Sequence, residues 1–168
     1  MSEGAWGNLQ AIEADGPADI VTIRLNRPEV GNAVNSTMEN ELNRLLKACD
    51  NDDRVKTVLI VANGRHFSSG HDINQVAKEM VGGVEPATID GKWWARTGEL
   101  LPAWWFRKAL VVAVKGFVGP HANALLLTAD AVIAADNSMF SWEETRIGIG
   151  APYGPYSLMP FHFPMRVV

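Results

Sequence analysis

The stretch KTVLIVANGRHFSSGHDI, residues 56–73, decides the fold. Its first half is a nearly continuous apolar run, the pattern of a strand in a parallel sheet that is covered on both faces. Its second half turns at Gly70 and sets Ser69, His71 and Asp72 in a short polar loop before the next predicted helix. Because α/β folds bind ligands in loops at the carboxyl ends of such strands, this stretch predicts an α/β fold with a ligand site in the loop.

A strand and an amphipathic helix precede this stretch. Residues 20–26, IVTIRLN, alternate apolar and polar side chains and predict a strand with one buried face. Ser36 and Glu39 fit the S-x-x-E capping box, which predicts the start of a helix of about four turns. The apolar residues that follow at helical spacing predict its buried face: Met38, Leu42, Leu45, Leu46 and Cys49.

The same order of elements returns later in the chain. Residues 109–116 form a second apolar run, residues 122–129 an apolar helical segment, and residues 130–136 a third apolar run. We expect these runs to be buried strands. Strand and helix alternate, so we expect a mostly parallel sheet.

Composition places the chain among ordinary globular domains. Its 168 residues, 47% apolar and 20% charged, suit one domain with its own core. A formal net charge of -4 gives no electrostatic reason to bind nucleic acid or an anionic membrane surface. Cys49 has no second cysteine to pair with, and the N-terminus carries no export signal. We therefore expect a cytoplasmic protein without a membrane anchor.

Sequence motifs for several common chemistries are absent. The chain has no G-x-G-x-x-G after a strand, no G-x-x-x-x-G-K-[ST], no H-E-x-x-H and no C-x-x-C. We therefore expect neither a nucleotide redox cofactor nor a metal site.

His71 and His121 stand out because each lies where an apolar strand leads into a helix. Backbone N–H groups at the start of a helix have no intrahelical partner. Two such groups that converge on one point can form an oxyanion hole, which stabilises an oxygen that becomes negative during a reaction. We expect the N–H groups of His71 and His121 to be such a pair.

Three segments resemble the crotonase superfamily, the enoyl-CoA hydratase/isomerase family. They are RLNRPEVGNAVN at 24–35, FSSGHDI at 67–73 and the segment from Lys115 to Ile149. The resemblance implies a crotonase-like spiral of repeated β-β-α units, with two nearly perpendicular, mostly parallel sheets and outer helices. It also implies an acyl-CoA thioester substrate, with coenzyme A as part of that substrate and no tightly bound cofactor.

FSSGHDI looks like the family loop that supplies one oxyanion donor and wraps the adenine end of coenzyme A. By this resemblance His71 gives the first N–H. The residues expected beside the coenzyme are Ala33, Ser69, His71, Asp72 and Ile73. Asp72 has an alternative role as the cap of the following helix.

The segment after Lys115 implies the acid–base residues. By resemblance His121 is the second oxyanion donor, in a loop that has lost the family's usual glycines. The first of the two catalytic glutamates of hydratases maps to Ala124, which cannot transfer a proton. The second glutamate maps to Glu144, with Glu143 as the competing register.

Loss of the first glutamate favours isomerase-like chemistry. Hydration of a conjugated thioester is well served by two acid–base groups, whereas moving a double bond from carbon 3 to carbon 2 needs a single base. Glu144 alone suffices for the second reaction, and the His121 side chain is a candidate replacement for the missing carboxylate. Two alternatives stay open: a coenzyme A-independent hydrolase that cleaves β-diketones with His71 and His121, and a paralogue that binds acyl-CoA without turnover.

The resemblance also bears on length and assembly. Family members look as if they continue past FHFPMRVV with helices that close the acyl pocket and assemble trimers. We therefore expect residues 1–168 to be a single core domain that lacks this helical region. The full-length protein is expected to be a homotrimer or a dimer of trimers. Apolar surface left uncovered predicts poor solubility or self-association.

Overall fold

The computed structural model of the chain describes residues 7–17, 19–75, 77 and 101–142. The strands, in chain order, are β1 (Ile12–Asp15), β2 (Ile20–Leu25), β3 (Thr57–Ala62), β4 (Ala109–Val114), β5 (Phe117–Val118), β6 (Ala131–Ala134) and β7 (Met139–Phe140). The helices are α1 (Ser36–Asp50), α2 (Leu101–Trp104) and α3 (Pro120–Leu126), with a short 3-10 helix at Pro28–Val30. No helix within these described ranges is long and apolar enough to cross a bilayer.

The strands form two sheets. The larger sheet has the order β1-β2-β3-β4-β6, and all its pairings are parallel except that between β1 and β2. The smaller sheet pairs β5 with β7 in parallel. The predicted α/β fold with mostly parallel strands is confirmed. Strands β1, β5 and β7 were not anticipated, because four or two residues are too few for a period-two pattern to stand out.

Helix α1 has the predicted length and buried face, but its predicted cap is wrong. The N-cap is Asn35, whose side-chain oxygen accepts a hydrogen bond from the Met38 N–H at 2.9 Å. Ser36 is already helical and pairs instead with the Gln75 side chain. Asn35 can act as the N-cap because its short side-chain amide reaches the N–H of the third helical residue as well as a serine hydroxyl does. Glu39 therefore lies one residue deeper in the helix and is buried.

The expected burial of the parallel strands is only partly correct. Along β3 and β4, every second residue is buried and most of the others are half-buried. All four residues of β6 are exposed, so the expectation of a third buried strand over 130–136 is wrong. The reason is position, because β6 is the outer strand of the larger sheet and pairs with β4 alone among the described strands.

Helix α3 begins earlier and ends earlier than residues 122–129. Pro120 occupies its first turn, where a proline loses no hydrogen bond, and Gly119 is its N-cap. The helix ends at Leu126, and the Thr128 hydroxyl then donates to the Leu125 carbonyl at 2.8 Å. This shift matters for the site because it makes His121 the second residue of a helix.

The core lies between the larger sheet and the inner faces of α1 and α3. Its largest fully buried side chains include Phe67, Ile23, Leu45 and Leu110. Cys49 is fully buried in this core, as its place on the apolar face of α1 predicted, and burial raises the pKa of its thiol to about 11.

Candidate active site

The loop after β2 and the loop after β3 are joined through their backbones. Val34 and His71 form an isolated parallel bridge. The Val34 N–H donates to the Gly70 carbonyl at 2.8 Å, and the Asp72 N–H donates to the Val34 carbonyl at 2.9 Å. The segments at 24–35 and 67–73 are therefore two sides of one small ladder.

Arg27 fastens the same two loops with its side chain. Its Nη1 donates to the Ala33 carbonyl at 2.6 Å and to Asp72 Oδ2 at 3.1 Å. The Arg27 and Asp72 side chains are only 19% and 15% exposed. Asp72 therefore has a structural role in holding the loops together, which the sequence did not indicate.

The loop after β3 also contacts the segment that leads into α3. Ser68 and Val118 form a second parallel bridge, and the Gly119 N–H donates to the Ser68 carbonyl at 2.8 Å. A Cβ on Gly119 would lie 2.4 Å from the Ser69 carbonyl oxygen. Only glycine fits at this position. We call the contact between residues 68–71 and residues 118–121 the loop junction.

Two buried polar residues that no sequence motif marked, Asn32 and Ser68, brace the loop junction. Asn32 is fully buried at φ 52, and its amide donates to the carbonyls of Asn63 and His66 at 2.8 and 3.0 Å. The Ser68 hydroxyl donates to the Asn32 carbonyl at 2.8 Å and accepts the Gly70 N–H at 3.2 Å. A signal existed, since asparagine after glycine is typical of a left-handed turn residue.

The loop junction brings His71 and His121 together. Their imidazole centroids are 4.1 Å apart, with ring planes inclined at 44°. His121 is the second residue of α3, where the backbone N–H has no partner within the helix. The two strand-to-helix turns therefore face one another, as their corresponding positions in the sequence indicated.

The His121 side chain extends inward toward α1. Its Nε2 lies 3.6 Å from Oε1 of Glu39, and both side chains are mostly buried. Burial, and secondly the neighbouring His71, hold the pKa of His121 well below its usual range of about 6.5. His121 is therefore a neutral imidazole at physiological pH.

A small cavity adjoins this pair. It has a volume of about 20 Å³, and its wall includes Glu39, Ser68 and His121, which expose almost no polar surface to it. The rest of the wall is mostly apolar: Leu25, Val34, Met38, Leu42, Phe67, Ala122 and Leu125. The volume equals that of about one water molecule, but the apolar wall offers a water almost no hydrogen-bond partner.

The three joined segments can be compared with known proteins. The sequence profile of the family described as enoyl-CoA hydratase/isomerase matches residues 15–167. The chain belongs to the enoyl-CoA hydratase/isomerase family.

Relatives of both named activities occur in this family. A 2,3-dehydroadipyl-CoA hydratase of Escherichia coli is 32% identical over 77% of this chain and 48% of its own length. The human enoyl-CoA delta isomerase 2 is 35% identical over 77% of this chain and 32% of its own length. The chain spans about half the length of the first curated relatives that it matches.

Solved structures confirm the crotonase-type fold. An enoyl-CoA hydratase/isomerase from Mycobacterium paratuberculosis superposes with a TM-score of 0.79 at 25% identity, covering 94% of this chain and 62% of that one. An enoyl-CoA hydratase from Shewanella pealeana superposes with a TM-score of 0.77 at 22% identity, covering 95% of this chain and 58% of that one.

The residues expected to contact coenzyme A differ in exposure. Ala33 is buried, and its carbonyl accepts a hydrogen bond from Arg27. Ser69 is exposed, and Ile73 is 67% exposed. All of them lie on the two loops of the first ladder. Their contacts with a coenzyme stay predictions.

The acid–base positions are only partly within the described structure. Ala124 lies on the inner face of α3 and belongs to the core. Glu144 and the competing Glu143 lie outside the described residues. Within the described part of the chain, no three His, Cys, Asp or Glu residues are grouped so that they could hold a metal ion.

Proposed function

We propose that this chain carries the enolate-stabilising site of an enzyme that acts on acyl-CoA thioesters, with isomerase-like chemistry favoured over hydration. One observation supports this most strongly: the loop junction sets two strand-to-helix turns, at His71 and His121, side by side in a chain of the enoyl-CoA hydratase/isomerase family. Family membership implies a lyase or an isomerase, and the alanine at position 124 favours the isomerase-like reaction in this proposal.

In this proposal the thioester oxygen of a 3-enoyl substrate accepts hydrogen bonds from the N–H groups of His71 and His121. A carboxylate at Glu144 removes a proton from carbon 2, and the electron pair of that C–H bond moves toward the thioester oxygen. The same group then returns its proton to carbon 4, which leaves the double bond at carbon 2. The two N–H donors stabilise the enolate because they point to the oxygen on which charge develops.

The segment before Glu144 supports its assignment as the base. The Ser141 N–H donates to the Val118 carbonyl at 3.0 Å, and the Asn123 amide donates to the Ser141 carbonyl at 2.7 Å. These two hydrogen bonds fasten Ser141 to the loop and helix that carry His121. Ser141 closely precedes Glu144 in sequence.

Coenzyme A recognition is proposed for the outer side of the same loops. Ser69 and Ile73 are exposed there, beside His71. Ala33 and Asp72 lie on the two strands of the ladder and are held by Arg27, so they would shape the loops on which the coenzyme rests. Coenzyme A enters as part of the substrate, and no tightly bound cofactor is proposed.

A second candidate is the coenzyme A-independent hydrolase of β-diketones. The direct contact between the His71 and His121 rings favours it, since two adjacent imidazoles can share the proton transfers of carbon–carbon cleavage. A non-catalytic paralogue that binds acyl-CoA is the remaining outcome.

The wider setting also stays a proposal. We propose that residues 1–168 are the core domain of a longer cytoplasmic protein that forms homotrimers or dimers of trimers. The exposed apolar residues of β6 and β7 support assembly, because such strips are usually covered in a native protein.

Deuterium exchange at carbon 2 of butanoyl-CoA in heavy water tests the proposal. We expect the chain to catalyse exchange and the Glu144→Gln variant to lose at least about 10²-fold of the rate, the lower range for a positioned base. Tight binding of butanoyl-CoA without exchange would favour the silent paralogue. If the chain shows no binding of butanoyl-CoA and no exchange, the thioester assignment is overturned and the hydrolase is favoured.

A further inference from the structure

Glu39 is a buried carboxylate with no part in the chemistry described so far. It lies on α1, its side chain is 9% exposed, and its Oε1 is 3.6 Å from Nε2 of His121. The second buried glutamate of this helix, Glu41, has an evident structural task. Its two oxygens accept the N–H groups of Gln10 and Ala11 at 2.7 and 3.0 Å and so tie the N-terminal segment to the helix.

We propose that Glu39 is a positioning residue for His121, and that the two together supply the second acid–base group that Ala124 cannot provide. The inference deepens the proposed function, because it adds hydration of 2-enoyl thioesters to the isomerase-like reaction of the same site. It is carried by the Glu39–His121 contact and by the cavity that both side chains line.

The approach of Glu39 Oε1 to within 3.6 Å of Nε2 bears on which nitrogen of His121 acts as a base. In a neutral imidazole one nitrogen carries a proton and the other has a lone pair. A carboxylate facing Nε2 favours the tautomer with the proton on Nε2, so that Nδ1 becomes the basic atom. The side chain of His121 retains 13% exposure, so solvent still reaches the ring.

The proton and electron balance of the added reaction is simple. A water molecule forms a bond from its oxygen to carbon 3 of the enoyl thioester while one of its protons passes to Nδ1 of His121. The π electrons move toward the thioester oxygen, and the resulting enolate takes a proton at carbon 2 from the acid of the proposed function, Glu144. The imidazolium then returns its proton through solvent to that acid, and the product is a 3-hydroxyacyl thioester.

Charge explains why Glu39 is needed. His121 is mostly buried and has a second imidazole, His71, directly beside it, and both features oppose a positive charge on the ring. Among the described residues, Asp72, which follows His71 in sequence, is paired with Arg27. The Glu39 carboxylate therefore stabilises the imidazolium that forms when His121 takes a proton from water.

The test compares two reactions in four proteins: the 168-residue chain and its Glu39→Gln, Glu39→Asp and Glu41→Gln variants. Hydration is followed with 2-butenoyl-CoA, and carbon 2 exchange with butanoyl-CoA in heavy water. In Glu39→Gln we expect kcat for hydration to fall by about 10²-fold with little change in KM, and exchange to keep its rate. Glu39→Asp keeps the charge and should retain part of the hydration rate.

Glu41→Gln is the matched control, because it removes an equally buried carboxylate from the same helix and should leave both rates unchanged. Thermal unfolding of every variant reports on folding. Equal losses of hydration and exchange in Glu39→Gln, or a loss of hydration no larger than in Glu41→Gln, would overturn the inference. Exchange without hydration in the unaltered chain would also overturn the inference, but it would leave the proposed function standing. The absence of both reactions would count against the proposed function itself.

A readout independent of activity completes the test. Nitrogen-15 NMR of the His121 ring distinguishes the two neutral tautomers. We expect the proton on Nε2 in the unaltered chain. A proton on Nδ1 would overturn the inference whatever the enzyme assays show.

Discussion

The imidazoles of His71 and His121 lie 4.1 Å apart because the backbone of Gly119 passes directly over the carbonyl of Ser69. His71 lies in the loop after β3 and forms a bridge with Val34, whereas His121 is the second residue of α3, which follows β5. Their contact is therefore produced by the backbone of the loop junction rather than by attraction between the rings.

Substitution of Gly119 by alanine should open the loop junction. The added Cβ would meet the Ser69 oxygen at 2.4 Å, so one loop must move away from the other. We expect a loss of about 1–3 kcal/mol in unfolding free energy, the usual cost of overpacking, together with loss of acyl-CoA exchange activity. Gly31→Ala is the control, because a Cβ there meets no atom closer than 3.6 Å and only the positive φ opposes it. A Gly119→Ala protein as stable and active as Gly31→Ala would contradict this view of the junction.

The Arg27–Asp72 pair should stabilise the ladder between the first two loops. Asp72→Asn removes a charged acceptor from a mostly buried guanidinium, and we expect a loss of about 1.5–3 kcal/mol by urea denaturation. The pair Arg24–Asp15 is a control at 2.6 Å, in which Asp15 is 64% exposed. Asp15→Asn should cost less than about 1 kcal/mol, as exposed pairs do. Equal costs at the two sites would show that Asp72 has no special structural role.

Folding stability should decrease on acidification because of His121. Its pKa in the folded protein lies well below 6.5, so below that pH the unfolded chain binds a proton here that the folded chain does not. Stability is therefore lost as pH falls from about 6.5 toward the lower folded pKa, by up to about 1.4 kcal/mol per pH unit. In the described part of the chain, Glu39 and His71 are the titratable groups found against the ring. Urea denaturation at several pH values should show a smaller slope for His121→Asn, and an unchanged slope would refute the assignment.

The outer strands should make the 168-residue chain self-associate. Val132, Ile133, Met139 and Phe140 are all exposed on β6 and β7. Exposed apolar strands at a sheet edge promote association between chains. We expect sedimentation to show oligomers or aggregates, and Ile133→Lys to reduce them more than Val30→Thr, which alters an exposed apolar residue elsewhere. A monodisperse monomer would contradict this expectation.

The sequence determined the main features of the fold because they rest on long periodic patterns. Residues 20–26 and 56–64 contain β2 and β3 at nearly the predicted limits, and the apolar spacing after Ser36 gave the buried face of α1. The exposure of β6 was missed, because an apolar run is the same whether its strand lies inside a sheet or at its edge. Burial depends on neighbours that are distant in sequence.

The candidate site, like the fold, could be predicted from the sequence only in part. The juxtaposition of His71 and His121 followed from their matching places after two apolar strands. The Arg27–Asp72 and Glu39–His121 contacts were not predicted, because each joins residues from separate elements by side chains whose directions no local pattern encodes. Glu39 was even assigned to a cap, a role that the register of α1 excludes.

The central claim is that the loop junction forms an oxyanion hole for a thioester. Carbon-13 NMR of butanoyl-CoA labelled at the thioester carbonyl measures this directly, because hydrogen bonds to the oxygen polarise the carbonyl and move its resonance downfield. We predict a downfield shift on binding to the chain and a clearly smaller shift in Gly119→Ala, in which the two donors are pushed apart. Bound butanoyl-CoA whose carbonyl resonance equals that of the free ligand would contradict the account.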